Sequence, residues 1–133
     1  MSAVINLLGR VLLSLIFIFS GLSKIVNFSG TSEMIAQKGL PFSPFFLFLA
    51  ILFEVVGGVC LLTGYKGRIG ALLLAVFLVP ATLLFHFAAA FDSTGALTNQ
   101  GEMIQVMKNL AILGGLLMVF SNGTGALSVG KDN

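Results

Sequence analysis

The sequence predicts an all-α membrane protein: a bundle of four transmembrane helices with a short interfacial helix between the first and the second. Hydrophobic residues make up 57% of the 133 residues and charged residues only 9%, whereas an ordinary soluble domain carries about 25% charged residues. The mean hydropathy is +1.07. A spanning helix needs about 20 mostly apolar residues. Four stretches meet this requirement, 5–27, 44–64, 69–91 and 104–121, and we expect them to form one domain over residues 1–133.

The first apolar stretch has features of a signal peptide, because Arg10 precedes a long apolar run. A convincing small-residue cleavage site is missing, however, and three further apolar stretches follow. We therefore expect a retained first helix, with Arg10 as an anchor at the inner membrane interface.

The connecting segments carry turn signals. Between the first two helices, Ser29 or Thr31 can cap a short helix that runs to Lys38, and Gly39 would end it. Inside the third helix, Pro80 predicts a kink that frees a backbone carbonyl for a threonine or a water. The tail from residue 121 onward is polar and glycine-rich, and its composition is typical of a disordered segment.

The charges between the helices predict the orientation in the membrane. Four helices put both termini and the loop between helices two and three on one side. Four lysines and arginines lie on this side, Arg10, Lys66, Arg68 and Lys131, against three on the opposite side, Lys24, Lys38 and Lys108, so the bias is modest. The opposite loop, 91–102, contains no lysine or arginine. Since positive loops stay inside, we expect a multi-pass protein of the bacterial inner membrane with cytoplasmic termini.

Glu54 is the most informative single residue, because it lies near the middle of an apolar helix. A charged side chain at that depth costs roughly 3 kcal/mol on insertion scales. It therefore needs a protein partner, a wet cavity or a proton. At about 1.5 Å rise per residue, further polar groups on the other helices fall into a layer above Glu54. We predict a ligand-binding or proton-relay site from these residues: Glu54, His86, Lys24, Lys108, Asn109 and Ser20.

A structural explanation exists for four of these residues. Lys24 and Lys108 lie near helix ends, where lysines extend to the headgroups. His86 can be a neutral core histidine, and Glu54 can form an ion pair that only holds the bundle together. The paired glycines are predicted to serve helix packing: Gly57, Gly58, Gly114 and Gly115.

Several other classes of function find no support in the sequence. The net charge of +2 arises from loop residues of a membrane protein and does not indicate nucleic acid. The single cysteine, Cys60, excludes an internal disulfide and a dithiol relay. We find no metal-ligand cluster and no phosphate loop, and a single histidine cannot provide both ligands of a bis-histidine haem. No cofactor is evident, although a quinone remains possible.

An ordered set of short motifs resembles the DoxX family of small bacterial inner-membrane proteins. The motifs lie at 9–10, 19–24, 39–41, 53–58, 61–64, 85–86 and 107–115. The resemblance implies a four-helix transmembrane bundle. It also implies an association with quinone-linked oxidoreduction, as in a subunit of thiosulfate:quinone oxidoreductase, and with redox stress. It brings no catalytic residues that can be carried onto this chain, and whether the protein is an enzyme stays open.

Three functions are compatible with these observations. The first is a redox-associated membrane subunit that binds a quinone-like or other small amphipathic molecule in the outer half of the bundle. The second is a small-solute or proton transporter, or permeability factor, which would need a homo-oligomer because four helices are few for alternating access. The third is a scaffold in the lipid bilayer that docks a partner oxidoreductase.

Overall fold

The structure is a computed structural model and describes residues 1–130. Its helices are α1 (Ser2–Val26), α2 (Phe28–Gln37), α3 (Ser43–Thr63), α4 (Gly67–Ala81) and α5 (Gln100–Asn122). Beyond Ala81, α4 continues as a π-helical turn (Thr82–Phe87) and a 3₁₀ turn (Ala88–Ala90).

Four of these helical segments are long and apolar enough to cross a membrane: α1, α3, α5 and the combined segment Gly67–Ala90. The predicted four-helix membrane bundle is therefore confirmed. The largest difference in bounds is at α5, which begins four residues before the prediction. Asn99 explains this early start, because its Oδ1 accepts a hydrogen bond from the backbone N–H of Glu102 at 3.1 Å. Such an N-cap lets the polar first turn be helical.

The bundle is an open row of helices. Helix α3 packs against α1 on one side and against α4 on the other, and α5 packs against α4, while α1 and α5 touch each other little. The core lies between the well-packed pairs and contains Phe17, Leu61, Leu74, Leu78 and Leu116. A groove consequently remains between α1 and α5.

Glycines permit the close contacts of α3. A Cβ atom on Gly57 would lie 2.8 Å from the Leu74 side chain, and one on Gly58 would lie 2.7 Å from Ile18.

The α5 glycines do not play the predicted packing role. A Cβ atom on Gly114 would meet no atom of the described chain within 4 Å, and one on Gly115 would be at an ordinary 3.5 Å from Leu13. The reason is that this face of α5 lacks a tightly packed neighbour.

The connections define the two ends of the bundle. At one end, called the α2 end, α1 terminates, α5 begins and α2 lies against α3 through the buried Ile35. The short helix predicted here is present, but neither Ser29 nor Thr31 caps it, since no side chain caps its first turn. Its position at a membrane interface stays a prediction. Gly39, at φ +86°, follows it.

The loop 91–99 at the α2 end is ordered by Asp92. The carboxylate of Asp92 accepts hydrogen bonds from the Thr94 hydroxyl and from the backbone N–H groups of Thr94 and Ala96. These bonds, first of all the one from the Thr94 side chain, hold the pKa of Asp92 below its usual value.

At the opposite end, called the tail end, Arg10 departs from its predicted role as an interface anchor. Its side chain is only 1% exposed. The guanidinium donates to the carbonyls of Leu61 and Leu62 at 3.0 and 2.9 Å, to the Leu127 carbonyl, and to Asn6 Oδ1. Arg10 is buried because the last turn of a helix offers unpaired carbonyl groups, which its fork of donors can satisfy together.

The tail is folded where the structure describes it, so the expectation of disorder is wrong for residues 121–130. Thr124 is fully buried. The backbone N–H of Val129 donates to the Thr63 carbonyl at 2.9 Å, and Ser128 donates to Thr124. The tail therefore packs against the C-terminal end of α3, and amino-acid composition does not predict this contact. Lys131, used in the orientation argument, lies outside the described residues.

Candidate functional site

All six polar residues selected from the sequence line one cavity of about 430 Å³ at the α2 end, which we call the chamber. They come from α1, α3, α5 and the π-helical turn: Ser20, Lys24, Glu54, His86, Lys108 and Asn109. The rest of the wall is largely apolar and includes Phe17, Phe77 and Phe85, while α2 contributes Met34 and Ile35. A mostly apolar pocket of this size with a few convergent polar groups is typical of a small-molecule site.

Glu54 and Lys24 form an ion pair across the α1–α3 contact. The Lys24 Nζ lies 3.0 Å from Glu54 Oε2 and 3.2 Å from Oε1. The Glu54 side chain is only 4% exposed and that of Lys24 is 24% exposed. Lys24 also donates to Ser20 Oγ at 2.7 Å, one helical turn earlier. Glu54 thus has the protein partner that its depth requires, and Lys24 is that partner.

The pair leaves part of the carboxylate unsatisfied. Only the contact of Lys24 with Oε1 has the geometry of a hydrogen bond; Oε2 is buried and receives no hydrogen bond from any residue within 1–130. A buried acceptor without a donor costs free energy. Glu54 is therefore able to accept a hydrogen bond from a ligand or a water, or to hold a proton.

Gly21 makes the Lys24–Glu54 contact possible, and sequence reasoning missed it. A Cβ atom on Gly21 would lie 2.7 Å from the Val55 side chain and 3.3 Å from Glu54 Cβ. Any larger residue would push α1 away from α3. A signal was available, since Gly21 lies between Ser20 and Lys24 in a helix, but glycine is common in this chain.

His86 pairs with a residue that the sequence analysis placed in a loop. Its Nδ1 lies 2.6 Å from Oε2 of Glu102, and both side chains are about one-third exposed, at 33% and 31%. Glu102 also lines the chamber. The missed signal was the spacing of Asn99 and Glu102, which is that of an N-cap followed by an acidic residue in the first turn.

Asn109 connects α5 to the distorted part of the third span. Its Nδ2 donates to Thr82 Oγ1 at 2.9 Å, and Thr82 Oγ1 donates in turn to the Leu78 carbonyl at 2.7 Å. The π-helical turn begins two residues after Pro80, where sequence analysis predicted a kink. The Leu78 carbonyl also accepts the backbone N–H of Thr82, whereas Pro80 removes the hydrogen bond to the carbonyl of Val76. That a threonine satisfies the carbonyl freed by Pro80 therefore stays a prediction.

Lys108 is one of two chamber lysines, with Lys38, whose ammonium group has no partner within residues 1–130. Within residues 1–130 it makes no hydrogen bond and no ion pair. It borders the chamber and also the groove between α1 and α5.

Across the described residues, no group of three or more His, Cys, Asp and Glu side chains is arranged to hold a metal ion.

The fold and the site define a class: small four-helix membrane proteins with a mostly apolar chamber, into which a few polar side chains converge, at one end of the bundle. The profile of the DoxX family matches residues 5–87, which is more than half of the chain. The chain belongs to the DoxX family and is an integral inner-membrane protein of that type.

Three relatives illustrate the similarity. "Inner membrane protein YqjF" of Escherichia coli (strain K12) is 35% identical over 127 residues, covering 94% of this chain and 88% of the relative. "Inner membrane protein YphA" of the same organism is 29% identical over 128 residues, covering 96% and 89%. "Putative oxidoreductase CatD" of Bacillus subtilis (strain 168) is 34% identical over 86 residues, covering 65% and 63%. No solved structure is significantly similar to the chain.

Proposed function

We propose that this protein binds a quinone-like amphipathic molecule in the chamber and acts as a redox-associated membrane subunit. The observation that carries the proposal is the combination of an apolar, phenylalanine-rich wall with hydrogen-bond donors that have no partner in the described chain. A quinone ring needs apolar contact on its faces and donors at its two carbonyl oxygens.

The available donors are the ammonium groups of Lys108 and Lys38, both of which line the chamber, and His86 Nε2. Lys24 is already committed to Glu54 and Ser20, and Asn109 gives one of its two Nδ2 hydrogens to Thr82. In His86, Nδ1 donates to the Glu102 carboxylate, so Nε2 donates to a ligand when the imidazole is doubly protonated, since the neutral ring carries only one N–H. Of the six predicted site residues, Lys108 and His86 would therefore bind the ligand. The other four would position these groups or exchange protons: Ser20, Lys24, Glu54 and Asn109.

The carboxylates fit the proton chemistry of such a ligand. Reduction of a quinone to a quinol takes up two electrons and two protons. Glu54 can take up a proton at Oε2 and pass it to one quinone oxygen, and the partly exposed His86–Glu102 pair can take up a proton from water and pass it to the other. The electrons would come from a partner oxidoreductase, because one cysteine cannot form a dithiol pair. The oxidoreductase name of the relative CatD is consistent with this assignment.

Binding of ubiquinone with a single isoprene unit to the protein in lipid nanodiscs tests the proposal. The signal is equilibrium binding above that of empty nanodiscs. We expect saturable binding to the wild type. Lys108→Met should weaken it about 10- to 150-fold, because a hydrogen bond from a charged donor contributes roughly 1.5–3 kcal/mol. His86→Phe should weaken it as well.

Arg68→Met is the matched control, since it removes one exposed positive charge at the tail end of the bundle. It should bind as the wild type does. No saturable binding to the wild type, or equal binding by all four proteins, would refute the proposal and favour a scaffold that docks an oxidoreductase.

A further inference from the structure

The groove between α1 and α5 has a volume of about 630 Å³ and is not used by the proposed chemistry. Its walls are mostly apolar and are formed by Gly9 and Leu12 on α1 and by Ala111 and Met118 on α5. At the tail end it stops at Asn6 and Arg10, which bond to each other.

The groove adjoins the chamber. Three residues line both of them: Ile16, Lys108 and Ile112. Lys108 lies at this junction, between the cluster of polar side chains in the chamber and the groove, whose walls are mostly apolar. From Lys108 to Met118 the groove runs roughly 15 Å along α5.

We infer that the groove holds the hydrocarbon tail of the same amphiphile whose polar ring occupies the chamber, so that the ligand is a long-tailed lipid-like quinone and enters sideways from the bilayer. This inference rests on the proposed function. A tail in the groove lets the ring reach Lys108 without crossing the headgroup region. The small residues Gly9 and Ala111 leave the space that the tail fills, and the groove faces the side where α1 and α5 are not packed together.

Filling the groove tests this inference. A Cβ atom on Gly9 would meet nothing within 4 Å, so Gly9→Phe can place a ring in the groove without disturbing α3. Gly114→Phe is the matched control. Gly114 also has open space around it, but it does not line the groove.

Binding is measured in nanodiscs with two probes that share one ring, ubiquinone without an isoprenoid tail and its decyl-tailed analogue. The wild type should bind the decyl compound more tightly. Gly9→Phe should weaken binding of the decyl compound about tenfold, since its ring occupies the space of the tail and removes the packing contacts that distinguish the groove from the surrounding lipid. It should leave the tail-less ring unaffected, and Gly114→Phe should affect neither probe.

The outcomes separate the two claims. If the wild type binds the tail-less ring but Gly9→Phe keeps full affinity for the decyl compound, the groove is not the tail site and only this inference fails. If Gly9→Phe weakens both probes equally, it acts through the chamber and the inference also fails. If the wild type binds neither probe, the proposed function is refuted. The inference is then refuted as well, because it rests on that function.

Discussion

Lys24 and Glu54 lie thirty positions apart in the sequence and neutralise each other across the α1–α3 contact, with Nζ and Oε2 separated by 3.0 Å. The two residues differ in exposure, because Lys24 has a route to solvent that Glu54 lacks. Loss of one partner should therefore have a different effect from loss of the other.

Lys24→Met is expected to destabilise the protein more than Glu54→Leu does. Breaking a buried ion pair costs about 3–5 kcal/mol, and Lys24→Met leaves Glu54 buried without a partner. In Glu54→Leu, the remaining lysine can turn toward solvent. The double variant should recover most of the loss.

The measurement is thermal unfolding in detergent, followed through the reactivity of Cys60, the only thiol. Arg68→Met serves as the control for loss of a charge. Additive effects of the two single changes in the double variant would show that the pair does not act as a unit.

Gly21→Ala should destabilise the bundle, whereas Gly9→Ala should not. The added methyl group meets Val55 at 2.7 Å in the first variant and open space in the second. Overpacking costs typically about 1–3 kcal/mol, while glycine to alanine at an open helical position gains roughly 0.5–1 kcal/mol. Both changes are on α1, so the same unfolding assay compares them directly. Equal stability of the two variants would contradict the close α1–α3 approach.

Arg10→Met should release the tail from the end of α3. The change removes every donor to the carbonyls of Leu61, Leu62 and Leu127. Hydrogen exchange of the backbone amide of Val129, which donates to the Thr63 carbonyl, should become markedly faster. Arg10→Lys keeps the charge but lacks the fork of donors, so it should rescue protection only in part. Unchanged exchange in Arg10→Met would show that the tail is held without Arg10.

The orientation of the termini remains a prediction that cysteine labelling can test. In a Cys60→Ala background, Ser93→Cys should react with an impermeant thiol reagent in cells whose outer membrane is permeabilised, and Arg68→Cys should not. Both positions are exposed in the structure, so accessibility within the protein is matched. Labelling of position 68 alone would place the termini outside.

The four helices follow from the sequence because hydrophobic length is a local property. A stretch of about 20 apolar residues satisfies its backbone internally and has no comparable alternative in a bilayer. For the same reason Glu54 stands out without any structure: a carboxylate at that depth needs a partner wherever the helix packs. Helical rise also places Lys24, His86 and Lys108 near one level, which explains why the six selected residues share a chamber.

Only the tertiary structure decided which of those groups meet. Rise and periodicity give the depth and the face of a side chain, but they do not give the neighbouring helix. The choice of Lys24 for Glu54, and of Glu102 for His86, depends on helix order and on where α5 begins. Arg10 was expected at the interface, yet it is buried because the end of α3 and the folded tail bring three carbonyl groups to its guanidinium. These contacts join residues distant in the chain, and they exist only once the helices have packed.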